Sequence, residues 1–141
     1  MENNSIGNEI NWWEPARIRV SKPGFLDSPL AIKITDAFKK YPELFNEGVQ
    51  ERLRTDPDIF DFPGLTETYS IDESKAIMRV KNPKIIVSSA GMSHAGRIIH
   101  HEKQYLDDNE TMLLFIGYQA VGTPGRIIQD GAKSIKLLGK E

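Results

Sequence analysis

The stretch Lys84–Arg126 decides the fold, and it reads KIIVSSAGMSHAGRIIHHEKQYLDDNETMLLFIGYQAVGTPGR. It contains two short apolar runs, Lys84–Val87 and Met112–Ile116. Each run is followed by a loop of glycine and hydroxyl side chains that ends in an arginine, first Arg97 and then Arg126. A short apolar run bounded by turn residues is typical of a strand buried on both faces. The pattern therefore predicts two parallel strands, each leading through a glycine-rich loop into a helix.

Loops of this kind place backbone N–H groups and a helix N-terminus at the carboxyl edge of the sheet, where open α/β sheets bind ligands and anions are favoured. Arg97 and Arg126 each stand near a helix start, where a cation opposes the helix dipole unless an anion or a carboxylate lies nearby. A guanidinium–phosphate pair would supply that anion. An ion pair with Asp27 or another acid at the core edge is the alternative.

The rest of the chain also alternates strands with helices. The predicted strands are Phe25-Leu26, Leu65–Ser70, Lys84–Val87, Thr111–Ile116 and Ser134–Leu138. The first predicted helix runs from Pro29 to about Tyr41 and has an apolar stripe of Leu30, Ile34, Ala37 and Phe38. The second covers Glu43–Arg54, and its buried side is formed by Leu44, Phe45, Val49 and Leu53. Further helices are predicted over Asp72–Met78, about His94–Leu106 and about Gly125–Gln129. This alternation predicts an α/β fold, a Rossmann-like three-layer domain with a mainly parallel sheet.

The first 20 residues differ from the remainder. Residues 1–11 are polar and aperiodic, and Trp12 and Trp13 form an apolar patch with Arg17–Val20, a weak strand candidate. We divide the chain into a polar N-terminal leader, residues 1–20, and an α/β domain, residues 21–141. The two tryptophans either pack against the edge of this domain or cover a surface in a longer parent chain.

Composition narrows the classes of function. The chain has 141 residues, of which 39% are hydrophobic and 27% charged, an ordinary globular composition for one domain. Without cysteine it can form neither a disulfide framework nor a thiolate zinc site. No apolar run is long enough to span a bilayer and no signal peptide is visible, so we expect a cytoplasmic protein that does not contact membranes. The net charge of −2 argues against a stand-alone nucleic-acid binder.

Three motifs stand out in the chain: SSAGMSHAGRIIHH, then GYQAVGTPGRIIQDGAK, and DSPLA at Asp27–Ala31. Together they resemble the β-CASP region of RNA-processing metallo-β-lactamase-fold nucleases, a family that includes the cleavage and polyadenylation specificity factor nucleases. The resemblance covers roughly residues 25–141 and fits the leader poorly. The chain departs from the usual pattern at Ala90, Ala95 and Pro124, where the family more often has Ser, Gly and Leu.

The resemblance implies a parent enzyme that uses two zinc ions to hydrolyse RNA phosphodiesters, with the zinc ligands on its metallo-β-lactamase domain. The HxHxDH motif of that domain is absent here, and His94, His100 and His101 offer no convergent set of three ligands. We therefore expect no cofactor, no metal and no catalytic residue in this chain. It resembles the inserted β-CASP domain of a longer enzyme, and we expect this domain to be inactive when it is alone. Its expected partners are RNA and the metallo-β-lactamase domain of the same parent chain. A homo-oligomer is also possible.

The expected role is to hold the RNA backbone over the cleft. The candidate substrate-binding residues are Ser88, Ser89, Gly91, Arg97, His100, Gly117, Tyr118, Gln119, Gly122, Thr123 and Arg126. Asp27 and Ser28 either cap the first helix or face the cleft. Ser88 and Ser89 in the first loop serve either as turn residues or as donors to a phosphate. His100 and His101 are either packed against the domain or in contact with substrate. The alternatives for the whole protein are a metallo-β-lactamase-fold hydrolase of a non-RNA substrate and a non-catalytic phosphate- or nucleotide-binding α/β module.

Overall fold

The computed structural model describes residues 22–137. Its elements in chain order are β1 (Gly24–Leu26), α1 (Pro29–Lys39), a 3-10 helix (Pro42–Leu44), α2 (Glu47–Leu53), β2 (Leu65–Glu67), α3 (Ile71–Ala76), a second 3-10 helix (Ile77–Arg79), β3 (Ile85–Val87), α4 (Ile98–Tyr105) and α5 (Pro124–Gln129). The candidate strand Arg17–Val20, both tryptophans and the proposed boundary at residue 20 lie outside the described residues or at their margin, so these stay predictions.

The sheet has β1 in its centre, in the order β2-β1-β3, and both pairings are parallel. Gly24 is level with Leu65 of β2 and with Ile85 of β3, so the three strands end together at one carboxyl edge. Parallel neighbours require crossover connections, and helices supply them between the described strands. The α/β fold class with a parallel sheet is therefore confirmed.

Side-chain caps fix where four of the described helices begin, among them α2, whose cap Asn46 accepts a hydrogen bond from the Val49 N–H. Ser28 accepts a hydrogen bond from the Ala31 N–H and precedes Pro29 at the first position of α1. Ser70 and Glu73 form a reciprocal capping box at the start of α3. Thr123 caps α5 in the same way as Ser28 caps α1. The starts at Ser28, Ser70 and Thr123 lie within one or two residues of the predicted ones, whereas α2 begins at Glu47, four residues after the predicted start at Glu43.

The buried apolar side chains are few, and they differ from those the helical pattern predicted. Within the described residues the buried hydrophobic side chains are Phe25, Ile32, Ile77, Ile99 and Leu137. The predicted stripe of α1 faces outwards, since Leu30, Ile34 and Phe38 are all exposed while Ile32 is fully buried. The predicted buried position of Leu44 is also wrong, because this side chain is 78% exposed.

Two predicted strands are wrong. Residues 111–116 form no strand in the structure, and of 134–137 only Leu137 makes an isolated bridge. The side chains of Met112, Leu114 and Ile116, called here the apolar ridge, are 71–88% exposed. Strand formation needs a hydrogen-bonded neighbour as well as apolar residues, and β propensity depends strongly on that context.

The helix after β3 begins at Ile98, four residues later than predicted. Ser93 and Gly96 have φ angles of +58° and +73°, in the left-handed region that a right-handed helix excludes. The intervening chain is therefore a loop with a defined bend, and Arg97 stands at its junction with α4.

Candidate functional site

Asp27 is the most constrained polar residue at the carboxyl edge of the sheet. It follows β1 directly, is fully buried, and accepts four hydrogen bonds from side chains on three other parts of the chain. Oδ1 accepts from Thr68 Oγ1 at 2.5 Å and from Arg97 Nη1 at 2.7 Å. Oδ2 accepts from Ser74 Oγ and pairs with His101 Nε2, both at 2.6 Å. We call these five residues the Asp27 cluster.

The cluster holds its carboxylate in the ionised state. Burial alone would raise the pKa of Asp27, but the hydrogen bonds from Ser74, Thr68, His101 and Arg97 outweigh it and lower the pKa to about 2. A carboxylate has about four acceptor positions, and all of them are used here. Asp27 therefore has no free lone pair for a metal ion or for a substrate proton unless one of its partners leaves.

The guanidinium of Arg97 is hydrogen-bonded to partners within the domain. Besides Asp27, its guanidinium donates to the Thr68 carbonyl at 3.1 Å and to the Tyr69 carbonyl at 2.7 Å. Its side chain is 19% exposed. Of the two roles left open for this arginine, the structure shows the ion pair with Asp27.

His101 belongs to this cluster, whereas His100 is exposed on the other side of α4. The sequence pattern favoured His100 as a substrate contact, left both adjacent histidines either packed or in contact with substrate, and did not indicate Thr68 or Ser74. The signal for His101 was present, because residues four apart share a helix face and Arg97 precedes it by four. Asp27, already named as a possible partner of Arg97, is the acid that Arg97 and His101 share.

Asp27 and Ser28 do not face an open cleft in the described chain, since both are buried. Ser28 caps α1, and its Oγ lies 2.6 Å from Ser89 Oγ. Ser88 Oγ donates to the Asp27 carbonyl at 2.8 Å. The serines of the first loop thus tie β3 to the end of β1, and Ser89 remains exposed at the edge.

A buried serine–glutamate pair fixes the bend of the first loop, which comprises residues 88–97. Ser93 Oγ donates to Glu102 Oε1 at 2.5 Å, and both side chains are at least 97% buried. Burial raises the pKa of Glu102, although the bond from Ser93 opposes the increase. The Ser93 hydroxyl thus joins the loop to the middle of α4.

The first loop and the second loop, residues 117–123, are in direct contact. Gln119 is buried and donates through Nε2 to the carbonyls of Gly91 at 2.8 Å and Gly117 at 3.0 Å. The Gly125 N–H donates to the Met92 carbonyl at 3.0 Å. These bonds place the two loops side by side at one edge of the domain.

Gly125 allows this close approach. A Cβ added to it would stand 2.0 Å from Gln119 Oε1 and 3.1 Å from the carbonyl carbon of Met92. Because Gln119 is held by its own two bonds, its side chain cannot move away without breaking the bridge between the loops. The close packing of the two loops therefore requires a residue without a side chain at Gly125.

The second loop contributes most of the exposed candidates. Gly117, Tyr118 and Gly122 are exposed, and Tyr118 is 73% so. Arg126, just beyond the loop, donates through Nε to both carboxylate oxygens of Asp130 at 2.8 and 3.0 Å. Thr123 serves as the cap of α5. The candidate residues that remain available to a ligand at this edge are therefore Ser89, Gly91, Gly117, Tyr118, Gly122 and, in part, Arg126. His100 is also exposed, but on the other side of α4.

Residues 22–137 contain no group of three or more His, Cys, Asp or Glu side chains that could hold a metal ion. The donor chemistry agrees, since Asp27 is saturated and His101 already pairs with it. The described residues therefore offer no set of ligands for zinc, whose ligands the resemblance places on the metallo-β-lactamase domain of the parent enzyme. No helix in this part of the chain has the length and apolar character needed to cross a membrane.

Fold and site together define a parallel α/β domain in which two glycine-rich loops meet at the carboxyl edge beside a buried ion cluster. Comparison with known proteins is consistent with this class. The Beta-Casp domain family matches residues 11–128, and the chain belongs to that family.

Its relatives include Ribonuclease TTHA0252 of Thermus thermophilus, which is 33% identical over 119 residues, covering 84% of this chain and 28% of that protein. Transcription termination factor FttA of Methanococcus maripaludis is 32% identical over 84% of this chain and 19% of its own length. The FttA protein of Cenarchaeum symbiosum is 30% identical over 90% of this chain and 19% of its own. The chain thus spans less than a third of each of these relatives.

Proposed function

We propose that this chain is the substrate-clamping part of an RNA-processing phosphodiester hydrolase of the zinc-dependent metallo-β-lactamase class. Two kinds of support exist. Membership of the Beta-Casp domain family brings relatives that are called a ribonuclease and transcription termination factors. The other is geometric, because the edge formed by the two loops offers backbone donors, a hydroxyl and an aromatic ring to a ligand.

The contact between the loops is the observation that carries this proposal. Gln119 bridges the carbonyls of Gly91 and Gly117, so the exposed glycine-containing backbone of the first and second loops lies side by side. Backbone N–H groups at such an edge suit a phosphate. Tyr118 projects beside them and provides a face on which a single-stranded base can stack. A ligand with alternating phosphates and bases matches both features.

The two arginines have different tasks in this proposal. Arg97 acts through Asp27 and positions the first loop, because its guanidinium is occupied by one carboxylate and two carbonyls. Arg126 is the direct phosphate contact. Within the described residues its side-chain bonds are both made by Nε, so the Nη atoms can turn to an anion.

Hydrolysis itself is assigned to the remainder of a longer protein. The metallo-β-lactamase domain would hold the two zinc ions, and this chain alone would neither take up stoichiometric zinc nor cleave RNA. Elemental analysis of the purified chain, together with incubation with labelled RNA and added zinc, tests both statements. Stoichiometric zinc or cleavage that is lost in the Asp27→Asn variant would contradict the assignment.

Binding is tested with the full chain and a fluorescently labelled single-stranded RNA, followed by anisotropy at several salt concentrations. Because the net charge is −2, we expect weak binding that is detectable at low salt. Arg126→Gln should weaken it and reduce the salt slope by about 0.7, the value for one lost phosphate contact on a single strand. Tyr118→Ala should weaken it without changing the slope.

Arg52→Gln is the matched control, since Arg52 is exposed on α2 and the substitution removes the same charge. Equal losses for Arg52→Gln and Arg126→Gln would show nonspecific attraction only and would contradict the clamp. Binding of inorganic phosphate or mononucleotides, but not of RNA, would instead favour a small-ligand module.

A further inference from the structure

Residues 112–116, the segment that carries the apolar ridge, have the exposure pattern of a strand. The three side chains of the ridge are 71–88% exposed, whereas Leu113 and Phe115 between them are half-buried. Alternation with a period of two places successive side chains on opposite sides of an extended backbone. One side of the segment is therefore partly covered by the domain, and the apolar ridge forms the other side.

The backbone of this segment has unused hydrogen-bonding groups. Within residues 22–137, the N–H and C=O groups of residues 112–116 make no backbone–backbone hydrogen bond, and none of the three described strands pairs with them. Such groups are normally paired in a folded protein, and an unpaired strand is a template for another chain. The segment therefore offers a row of backbone donors and acceptors beside an apolar surface.

The usual protection of an unpaired strand is missing from this stretch. Charged side chains and proline on such a strand keep other chains away. No residue between Glu110 and Arg126 is charged, and the first proline after Glu110 is Pro124. Exposed apolar surface without this protection marks a contact site for protein. The ridge therefore favours a protein partner over RNA, whose phosphates are bound by cations.

The sequence of the segment is complementary to itself. If the same strand of two copies pairs antiparallel about a two-fold axis at Leu114, this residue stands opposite Leu114 of the second copy. In that register Met112 stands opposite Ile116 of the second copy. Glu110 stands opposite the uncharged Tyr118, so no like charges meet. Apolar cross-strand pairs stabilise a sheet, whereas like charges directly opposite destabilise it, so the register suits a second copy of this chain.

We propose that two copies of this chain associate through residues 112–116, which pair as antiparallel strands about a two-fold axis at Leu114. The pairing supplies partners for the unused backbone groups and gives each side chain of the ridge an apolar neighbour in the second copy. Five residues from each copy make an interface well below the roughly 1,200 Å² of a stable complex, so the association is weak and appears at high concentration. It stops at two copies, because a two-fold contact is closed.

A charge-swap experiment tests the pairing, with the mass of the full chain measured by light scattering over a series of concentrations. The wild type should shift from one copy to two as the concentration rises. Leu114→Glu and Leu114→Lys should each weaken the association by at least about tenfold, because two like charges would meet on the axis. A mixture of the two variants should associate again. Leu44→Glu is the matched control, since Leu44 is 78% exposed on the 3-10 helix after α1, and it should leave the association unchanged.

The absence of cysteine allows disulfides to report the register. Leu114→Cys should form a disulfide-linked pair of chains on mild oxidation, because opposite residues of antiparallel strands lie within the Cα separation that a disulfide needs. Met112→Cys should link to Ile116→Cys when the two variants are mixed. It should not link to a second copy of itself, because four residues along the strand, about 13 Å, separate the two positions.

Four results would overturn the proposal. A mass of one copy at every concentration would exclude self-association, and a mass that keeps rising beyond two copies would exclude a closed pair. Loss of association in Leu44→Glu would assign the contact to the surface beside α1. Failure of the mixed charge variants to associate would show that the two ridges do not face each other, whereas their recovery on mixing also shows that both variants are folded. None of these outcomes depends on RNA binding.

Discussion

The Asp27 cluster and the apolar ridge are opposite in chemistry and in environment. The cluster is a set of charged and polar side chains around a fully buried carboxylate, whereas Met112, Leu114 and Ile116 are apolar and 71–88% exposed. The cluster stays inside because every lone pair of Asp27 has a donor. The difference shows that the available partners, rather than hydrophobicity alone, decide which residues this domain buries.

The largest expected effect comes from breaking the cluster. Asp27→Asn removes the charge and turns an amide N–H2 towards partners that are themselves donors. We expect the free energy of unfolding in urea to fall by about 3–5 kcal/mol, the usual cost of breaking a buried ion pair. Asp58→Asn is the control, because its pair with Lys39 is half-exposed and worth less than about 1 kcal/mol. Similar losses for both variants would contradict the special position of Asp27.

Acid should weaken the same cluster gradually. The pKa of Asp27 lies at about 2 in the folded chain and near 3.8 in the unfolded chain. A carboxyl group with a depressed pKa stabilises the fold above its unfolded value, and that contribution disappears as the pH falls through the folded value. About 2 kcal/mol should therefore be lost between roughly pH 4 and pH 2.

The measurement is the stability difference between wild type and Asp27→Asn as a function of pH. It should be constant above about pH 4.5 and shrink below pH 4. A difference that begins to shrink near pH 6 would mean that the carboxyl group is not held in its ionised form.

The contact between the loops can be broken separately. Gly125→Ala should cost about 1.5 kcal/mol through overpacking against Gln119 and Met92. Gly91→Ala is the matched control, since nothing lies within 4 Å of a Cβ at that position. In the double variant Gly125→Ala with Gln119→Ala, the two effects should be non-additive because the residues touch. Additive effects would show that the loops are held together by other contacts.

The smallest effect is expected on the apolar ridge. Leu114→Gln should change the stability by no more than about 0.5 kcal/mol and should reduce light scattering at high protein concentration. Ile32→Ala, at a fully buried aliphatic position, should cost about 3 kcal/mol in the same assay. A loss of similar size for Leu114→Gln would show that residues 111–116 are packed as a strand, as the sequence pattern first indicated.

These contrasts also explain which features the sequence could predict. Local rules were sufficient for β1, for β3 and for the caps at Ser28, Ser70 and Thr123, because each depends on neighbours within a few residues. The family motifs were also recognisable, and their two glycine loops do meet. Burial of the α1 stripe and of residues 111–116 could not be predicted, because an apolar pattern does not specify which surface will cover it.

The role of Asp27 was hidden for a related reason. Its partners come from Thr68, Ser74, Arg97 and His101, which are 41–74 residues away in the chain. An Asp before Ser-Pro is typical of a helix cap, and the pattern left Asp27 either as a cap or as a residue facing the cleft. The ion pair with Arg97 was one of the alternatives, whereas no local pattern indicated Thr68, Ser74 or His101 as further partners.

The most direct test of this account is a double-mutant cycle between Asp27 and Arg97. The free energies of unfolding of wild type, Asp27→Asn, Arg97→Gln and the double variant would be measured together with their RNA affinities. We predict a coupling energy of about 2 kcal/mol, since the guanidinium and the carboxylate bond each other inside the fold. Additive stabilities, combined with a loss of RNA binding in Arg97→Gln that leaves its stability unchanged, would show that Arg97 faces the substrate and would contradict the account.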